Sequence, residues 1–134
     1  MTTTIKYPQP LKFHKKSAQL QVDLKRPEED EGGRTKPGCL FLALAKAKED
    51  GSDRMDWDNK INIKLDPVDI AKIVTGVRSG QAVKLYHKVE ARQSATTLTV
   101  EAGNPGSYKW FISKKVGENQ NFGNIYLEIG RAHV

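Results

Sequence analysis

The stretch that decides the fold is DWDNKINIKLDPVDIAKIVTGVRSGQAVKLYHK, residues 56–88. Its first apolar residues, Ile61, Ile63 and Leu65, alternate with polar ones, which is the period of a half-buried strand. Residues 83–88 alternate in the same way. Between these two segments the apolar residues follow the spacing of an amphipathic helix. The stretch therefore predicts a strand, a helix and a second strand, in that order.

The helix in this stretch has recognisable start and stop signals. Asp66 is a favoured N-cap, Pro67 suits the first helical position, and Asp69 lies where the helix dipole favours an acid. Two glycines mark the end, Gly76 and Gly80. We predict one clear helix at about 67–77.

The residues before this stretch predict an arm and two strands. Residues 1–10 contain two prolines and are expected to be irregular. One long strand is expected over residues 11–25, followed by a polar loop at 28–38. The alternating leucines of GCLFLALAKAK, residues 38–48, favour a strand, although Leu, Ala and Lys also favour a helix.

The residues after this stretch predict three more strands. They are TTLTVEAG at 96–103, SYKWFISKKV at 107–116 and NIYLEIG at 124–130. GNPG separates the first two as a turn, and GENQNFG, residues 117–123, is expected to be a polar loop. The pattern as a whole predicts an α+β fold of about seven to eight mostly antiparallel strands, forming a single domain over residues 11–134.

The composition indicates a small basic domain. The 134 residues contain 22 Lys and Arg against 16 Asp and Glu, a net charge of +6 with a pI of about 9.4. This balance favours a polyanionic partner. The mean hydropathy is −0.61, and no apolar run approaches the ~18 residues of a membrane helix, so no membrane partner is expected.

The single cysteine and the N-terminal residues indicate the cellular compartment in which the protein is expected. Cys39 is the only cysteine, which excludes an intramolecular disulfide, and its apolar neighbours indicate a small core residue rather than a catalytic thiol. MTTTIKYPQP lacks the apolar core of a signal peptide. We expect a cytoplasmic, nucleoid-associated protein, or one in another reducing intracellular compartment.

Basic and aromatic residues share the predicted exposed faces of the later strands. These residues are Lys64, Lys84, Tyr86, Lys88, Lys109, Phe111 and Tyr126. Basic groups neutralise phosphates and rings stack on bases, which is the combination expected for single-stranded nucleic acid. The alternative is a solvated sheet face on which the rings pack against neighbouring strands. Trp110 shares a face with Tyr108 and Ile112 and is expected in the core.

Motifs of enzymes are absent from the sequence. The three histidines have no metal-ligand spacing with one another or with Cys39. Neither a G-x-x-x-x-G-K-[ST] phosphate loop nor a G-x-S-x-G elbow occurs. We therefore expect no catalytic residues, no metal site and no cofactor.

Three stretches, in the same order, resemble the Whirly family of single-stranded DNA-binding proteins, part of a wider group with the coactivator known as positive cofactor four. Residues 14–28, HKKSAQLQVDLKRPE, are similar to the segment around the family's K-G-K-A-A-L motif. GCLFLALAKA, DW, INIKL and the following helix resemble the next part of a Whirly domain. AVKLYHK, TTLTVEAG and SYKWFISKK resemble the strands after it. The resemblance spans about residues 11–129.

This resemblance implies two antiparallel four-stranded sheets with helices, assembled into tetramers. It also implies single-stranded DNA running between the sheets of adjacent subunits with little sequence preference. Positions Lys15 to Leu20 match K-G-K-A-A-L at Lys15, Ala18 and Leu20, and would contribute to DNA contact and assembly. The family's second long helix is missing from the pattern. We expect a homo-oligomer, either a tetramer or, as a fallback, a dimer.

The predicted function is sequence-independent binding of single-stranded DNA in replication, recombination, repair or transcription. Phosphate contacts are assigned to Lys15, Lys16, Lys84, Lys88 and Lys109. Base stacking is assigned to Tyr86 and Phe111, with Trp57 or Phe41 as helpers. The alternatives are an RNA-annealing protein on the same fold, and a transcription coactivator or protein-interaction domain.

Overall fold

This computed structural model describes residues 10–103 and 105–128 of the chain. These residues form ten strands and one α-helix. The strands are β1, Leu11–His14; β2, Ala18–Lys25; β3, Glu28–Glu29; β4, Thr35–Lys36; β5, Cys39–Lys46; β6, Ile61–Leu65; β7, Val83–Val89; β8, Ser94–Ala102; β9, Ser107–Val116; and β10, Asn119–Glu128. The helix α1, Pro67–Ser79, lies between β6 and β7, and 3₁₀ turns occupy Trp57–Asn59 and Glu90–Arg92. The predicted α+β fold is confirmed.

Two four-stranded antiparallel sheets carry the fold. The first has the order β1-β2-β5-β6 and the second the order β10-β9-β8-β7, while β3 and β4 form a separate hairpin. Apolar side chains of both sheets meet in one core, which includes Leu20, Leu44, Ile61, Leu98 and Ile112. Because α1 packs on β7 and β8, and β10 contacts β2 and β5, each sheet keeps one face outward.

The predicted helix start is confirmed by its hydrogen bonds. The Asp66 side chain accepts from the Asp69 N–H at 2.8 Å, and the Asp69 side chain accepts from the Asp66 N–H at 3.2 Å, forming a capping box. Gly80 ends the helix with a φ of 72°, the left-handed conformation that glycine adopts without strain. The helix continues two residues past the predicted end at 77.

A side-chain contact joins the start of α1 to the edge strand β7. His87 Nε2 lies 3.0 Å from Asp69 Oδ2, and the Asp69 side chain is largely buried. His87 points inward, whereas its neighbours Tyr86 and Lys88 are exposed. This contact therefore holds the strand whose outer face carries three predicted site residues, Lys84, Tyr86 and Lys88.

The prediction of one long strand over residues 11–25 is wrong. The chain turns back at residues 15–17, so that Leu11 pairs with Val22 and Phe13 pairs with Leu20. The apolar residues change from odd to even positions across this turn, which a single continuous strand would not allow. The predicted loop at 28–38 likewise contains the short β3–β4 hairpin.

The predicted polar loop at 117–123 is mostly strand. β10 begins at Asn119, which pairs with Val116, so only Gly117 and Glu118 form the hairpin loop. Gly117 has a φ of 60°, which suits the first central position of a two-residue hairpin turn. The predictions for residues 1–9 and 129–134 lie outside the described residues.

Candidate nucleic-acid interface

The outward face of the second sheet brings together six of the predicted site residues. Strand register places the outward side chains in parallel rows across β7, β8, β9 and β10. One row is Tyr86, Thr97, Ser113 and Phe122; its neighbours are Lys84, Thr99, Phe111 and Asn124 on one side and Lys88, Ala95, Lys115 and Gln120 on the other. A further row holds Glu101, Lys109 and Tyr126. We name these four rows the aromatic–basic face.

The rings on this face are open to solvent. Tyr86 is 62% exposed, Phe122 53% and Tyr126 49%. The half-buried Phe111 lies beside Phe122, with ring centroids 6.1 Å apart and a tilt of 37°. Exposed rings on one sheet face are the kind of group on which unpaired bases stack.

The lysines of the face are placed among these rings. Lys109 Nζ lies 5.8 Å from the centroid of Phe111. Lys84, Lys88 and Lys115 have no ion pair or hydrogen bond within the described residues. The three rows from Lys84 to Gln120 contain no acidic side chain among these described positions. The centre of the face is therefore positively charged and free to attract an anion.

Sequence reasoning missed three residues near this face: Phe122, Lys115 and Lys46. The polar residues around Phe122 predict a loop. Phe122 and Tyr126 nevertheless share the even positions that face outward in β10, and this alternation is the signal that could have placed Phe122 in the strand. Lys46 belongs to the first sheet, yet its Nζ lies 5.3 Å from the Phe122 centroid. No local pattern predicts that cation–π contact, because it depends on how the two sheets pack.

Two predicted site residues lie on the other sheet. Phe41 of β5 and Lys64 of β6 are register partners on the outward face of the first sheet, with Asp23 on the other side of Phe41. They are adjacent to each other but do not share the aromatic–basic face. A strand of nucleic acid would need a second surface to meet them.

Lys15 and Lys16 are exposed in the turn between β1 and β2. Together with Asp53 and Met55 they line an open cavity beside the loop that precedes the 3₁₀ turn. In that loop Ser52 donates from Oγ at 2.6 Å and from its N–H at 2.9 Å to Asp50 Oδ1, and these hydrogen bonds lower the pKa of Asp50. The two lysines therefore border an acidic loop.

Trp57 is half-buried in the 3₁₀ turn Trp57–Asn59 and lies outside the aromatic–basic face. The Asn121 side chain donates to the Asn59 carbonyl at 2.9 Å, which ties this turn to β10. Trp110 packs against the core, as predicted.

The described residues also limit other site types. Residues 10–103 and 105–128 hold no group of three or more His, Cys, Asp or Glu side chains arranged to bind a metal ion. No helix within this part of the chain is long and apolar enough to cross a membrane.

Comparison with known proteins identifies the family of this fold. The family model described as the Whirly transcription factor matches residues 13–133. The chain belongs to the Whirly family. Comparison with curated proteins found no match.

Solved structures share the Whirly fold of this chain. The plant transcriptional regulator PBF-2 has a TM-score of 0.72 and 21% identity, over 96% of this chain and 75% of that chain. WHY3 and WHY1 from Arabidopsis thaliana each have a TM-score of 0.72 and 22% identity, over 96% and 98% of this chain and 81% and 78% of theirs. At these identities the similarity establishes the fold alone.

The segment that resembles the Whirly K-G-K-A-A-L motif divides into two parts. Lys15 and Lys16 are exposed in the turn, whereas Ala18 and Leu20 are buried at the start of β2. The matching Ala and Leu therefore support the core of this Whirly domain. Of the three matching positions, only Lys15 is exposed to meet a ligand.

Proposed function

We propose that this Whirly protein binds single-stranded DNA without sequence preference, through the aromatic–basic face. The observation that supports this most directly is the sharing of one sheet face by exposed rings and unpaired lysines. Each base stacked on an aromatic ring contributes ~1–3 kcal/mol whatever its identity. A duplex hides its base faces inside the stack, so this face favours single strands.

The predicted contacts have different places in this proposal. Lys84, Lys88 and Lys109 bind phosphates, while Tyr86, Phe111 and Tyr126 contact bases, joined by the newly placed Phe122. Lys15 and Lys16 add positive charge at the edge of the first sheet. If the single-stranded DNA runs between adjacent subunits, as the resemblance implies, it would contact a second surface besides the aromatic–basic face. Phe41, Lys64 and Trp57 belong to that second surface.

The proposal extends to the biological role. Single-strand binding would serve transcription, replication, recombination or repair, and the description of the matching family favours transcription. Cys39 is free and buried, which suits a reducing intracellular compartment such as the cytoplasm with its nucleoid.

The test is fluorescence anisotropy with a labelled mixed-sequence oligonucleotide, as single strand and as duplex, across a salt series. We expect the single strand to bind at least ~10-fold more tightly, a difference of about 1.4 kcal/mol. Affinity should fall as salt rises, because lysine contacts release counterions. Equal binding of both forms would contradict the proposal, and tighter binding of matched RNA would favour the RNA alternative. Absence of binding at low salt would favour a protein-interaction domain.

We also propose that the protein is a homo-oligomer, a tetramer or a dimer, that covers an apolar cleft. The cleft has a volume of about 270 Å³ and lies between the first sheet, α1 and two residues of the second sheet, Trp110 and Leu127. Its lining is entirely apolar, yet Leu11 is 59% exposed and Val74 is 45% exposed. Contiguous apolar surface of this kind typically marks an interface.

Val74→Asp should reduce the mass of the protein measured by light scattering at micromolar concentration. The added carboxylate would lie in an apolar interface, where burial of an unpaired charge costs several kcal/mol. Val68→Asp is the matched control, because Val68 is exposed on the same helix and does not line the cleft. A wild-type monomer, or equal loss of mass in both variants, would contradict this interface.

A further inference from the structure

A cavity of about 300 Å³ lies at one end of the aromatic–basic face. It opens in the row where Lys88 of β7 and Lys115 of β9 flank Ala95 of β8. Neighbouring strands are about 4.8 Å apart, so the backbones of the two lysines are about 10 Å apart. The small Ala95 side chain leaves the space between them open, and both lysine side chains can reach an anion held there.

The wall of this cavity is formed by two turns that are hydrogen-bonded to each other. The Gly117 N–H donates to the Gln93 carbonyl at 3.3 Å, and the Gln93 N–H donates to the Glu90 carbonyl at 3.0 Å. These bonds connect the β9–β10 hairpin loop to the 3₁₀ turn before β8. The cavity therefore has a connected wall rather than two independent loops.

The charges that line the cavity favour an anion. Lys88 and Lys115 contribute two positive charges and Glu90 one negative charge, a net +1 from the lining. A phosphodiester carries one negative charge, which the two lysines can neutralise. Neither lysine is paired within the described residues, so an anion would not have to displace a partner.

We propose that this cavity binds one internal phosphodiester of a single strand, beside the base that stacks on Tyr86. The inference rests on the proposed single-strand binding and deepens it. Tyr86 precedes Lys88 by two residues on the same face, which places their backbones about 7 Å apart. The cavity would thus fix the path of the strand at this end of the face and bring one base next to the Tyr86 ring.

The cavity can be tested directly with inorganic phosphate, followed by the amide resonances of the deuterated protein. We expect millimolar phosphate to shift residues 93–95 and 115–117, and Lys88→Ala/Lys115→Ala to abolish those shifts. Glu90→Gln should strengthen phosphate binding, because it removes the only negative charge of the lining. Unchanged shifts in the double-lysine variant, or none in the wild type, would overturn the site.

The second part of the experiment is a salt series with single strands that carry a 5′-hydroxyl or a 5′-phosphate. Removing one phosphate interaction lowers the slope of log K against log salt by about 0.7 for single strands. We expect this lower slope in Lys88→Ala/Lys115→Ala with both strands, and an unchanged slope in the charge-matched control Lys36→Ala/Lys72→Ala, which lies off the face. If the slope of Lys88→Ala/Lys115→Ala is lower only with the 5′-phosphorylated strand, the cavity binds the phosphate at the end of a strand. That result would overturn the proposal of an internal phosphodiester.

The two proposals fail in different ways. If the wild type binds single strands and Lys88→Ala/Lys115→Ala has the same salt slope as the control Lys36→Ala/Lys72→Ala, the proposed phosphodiester site is wrong and the proposed function stands. If phosphate shifts the cavity residues but single strands do not bind, the anion site stands and the proposed function is wrong.

Discussion

Replacing both Tyr86 and Phe122 with alanine should weaken single-strand binding at least ~30-fold. The two rings lie in one row of the second sheet and are the most exposed rings of the face. Each stacked base is worth ~1–3 kcal/mol, so losing both rings should cost about 2–6 kcal/mol. Because both residues are more than half exposed, the fold should lose little stability. Anisotropy at fixed salt measures the affinity, and thermal unfolding checks the fold.

Two controls separate stacking from other causes. Tyr86→Phe keeps the ring and should keep most of the affinity. Thr97→Ala/Ser113→Ala alters the two positions between the rings in the same row and should have little effect. Wild-type affinity in Tyr86→Ala/Phe122→Ala would mean that the aromatic–basic face is not where the bases bind.

The helix is the most predictable element, because its signals are local. Asp66, Pro67 and Asp69 act within one turn of each other, and the structure shows the resulting capping box. The predicted end falls two residues early because Gly76 resembles a stop signal. Gly76 instead lies inside the helix, where a Cβ would collide with the Val83 side chain. The glycine is required by packing against β7, which no sequence window around it reveals.

The two strand errors have a common cause. Both predictions overlook the phase of the alternation, at residues 15–17 by continuing a strand through a turn and at 117–123 by interpreting polar residues as a loop. The apolar residues change from odd to even positions between Phe13 and Ala18, and this change indicates the turn. The alternation continues without a change from Phe122 to Tyr126, which indicates the strand. Polar residues on the outward face of a sheet look like a loop when only composition is considered.

The membership of each sheet could not be predicted from alternation. Period two shows which side chains of one strand point together, but not which strands are neighbours. Lys64 therefore seemed equivalent to Lys84, although the two lie on different sheets. Non-local pairing also creates the cavity between Lys88 and Lys115, because these residues become neighbours only through β8.

Leu44→Ala should lower the free energy of unfolding by about 2–5 kcal/mol, a large part of the ~5–15 kcal/mol that holds a typical domain. Leu44 is 1% exposed and lies where the two sheets approach each other at Gly123. A Cβ on Gly123 would lie 3.0 Å from Leu44 Cδ2 and 3.1 Å from Lys46 Cγ. Gly123→Ala alone should change stability by less than ~1 kcal/mol, because tight contacts offset the reduced entropy of the unfolded chain.

The combination of these substitutions tests the packing of the two sheets. In Leu44→Ala/Gly123→Ala the new methyl group occupies part of the space that Leu44 leaves. The decrease in the free energy of unfolding should therefore be smaller than the sum of the decreases in the two single variants, by about 0.5–3 kcal/mol. Leu65→Ala/Gly123→Ala is the control, since Leu65 is equally buried but lies four register positions away, about 13 Å along the strand. Denaturant unfolding at one fixed protein concentration measures all variants. Equal coupling of Gly123 to Leu44 and to Leu65 would contradict the close approach of the sheets, and with it the position of Lys46 beside the Phe122 ring.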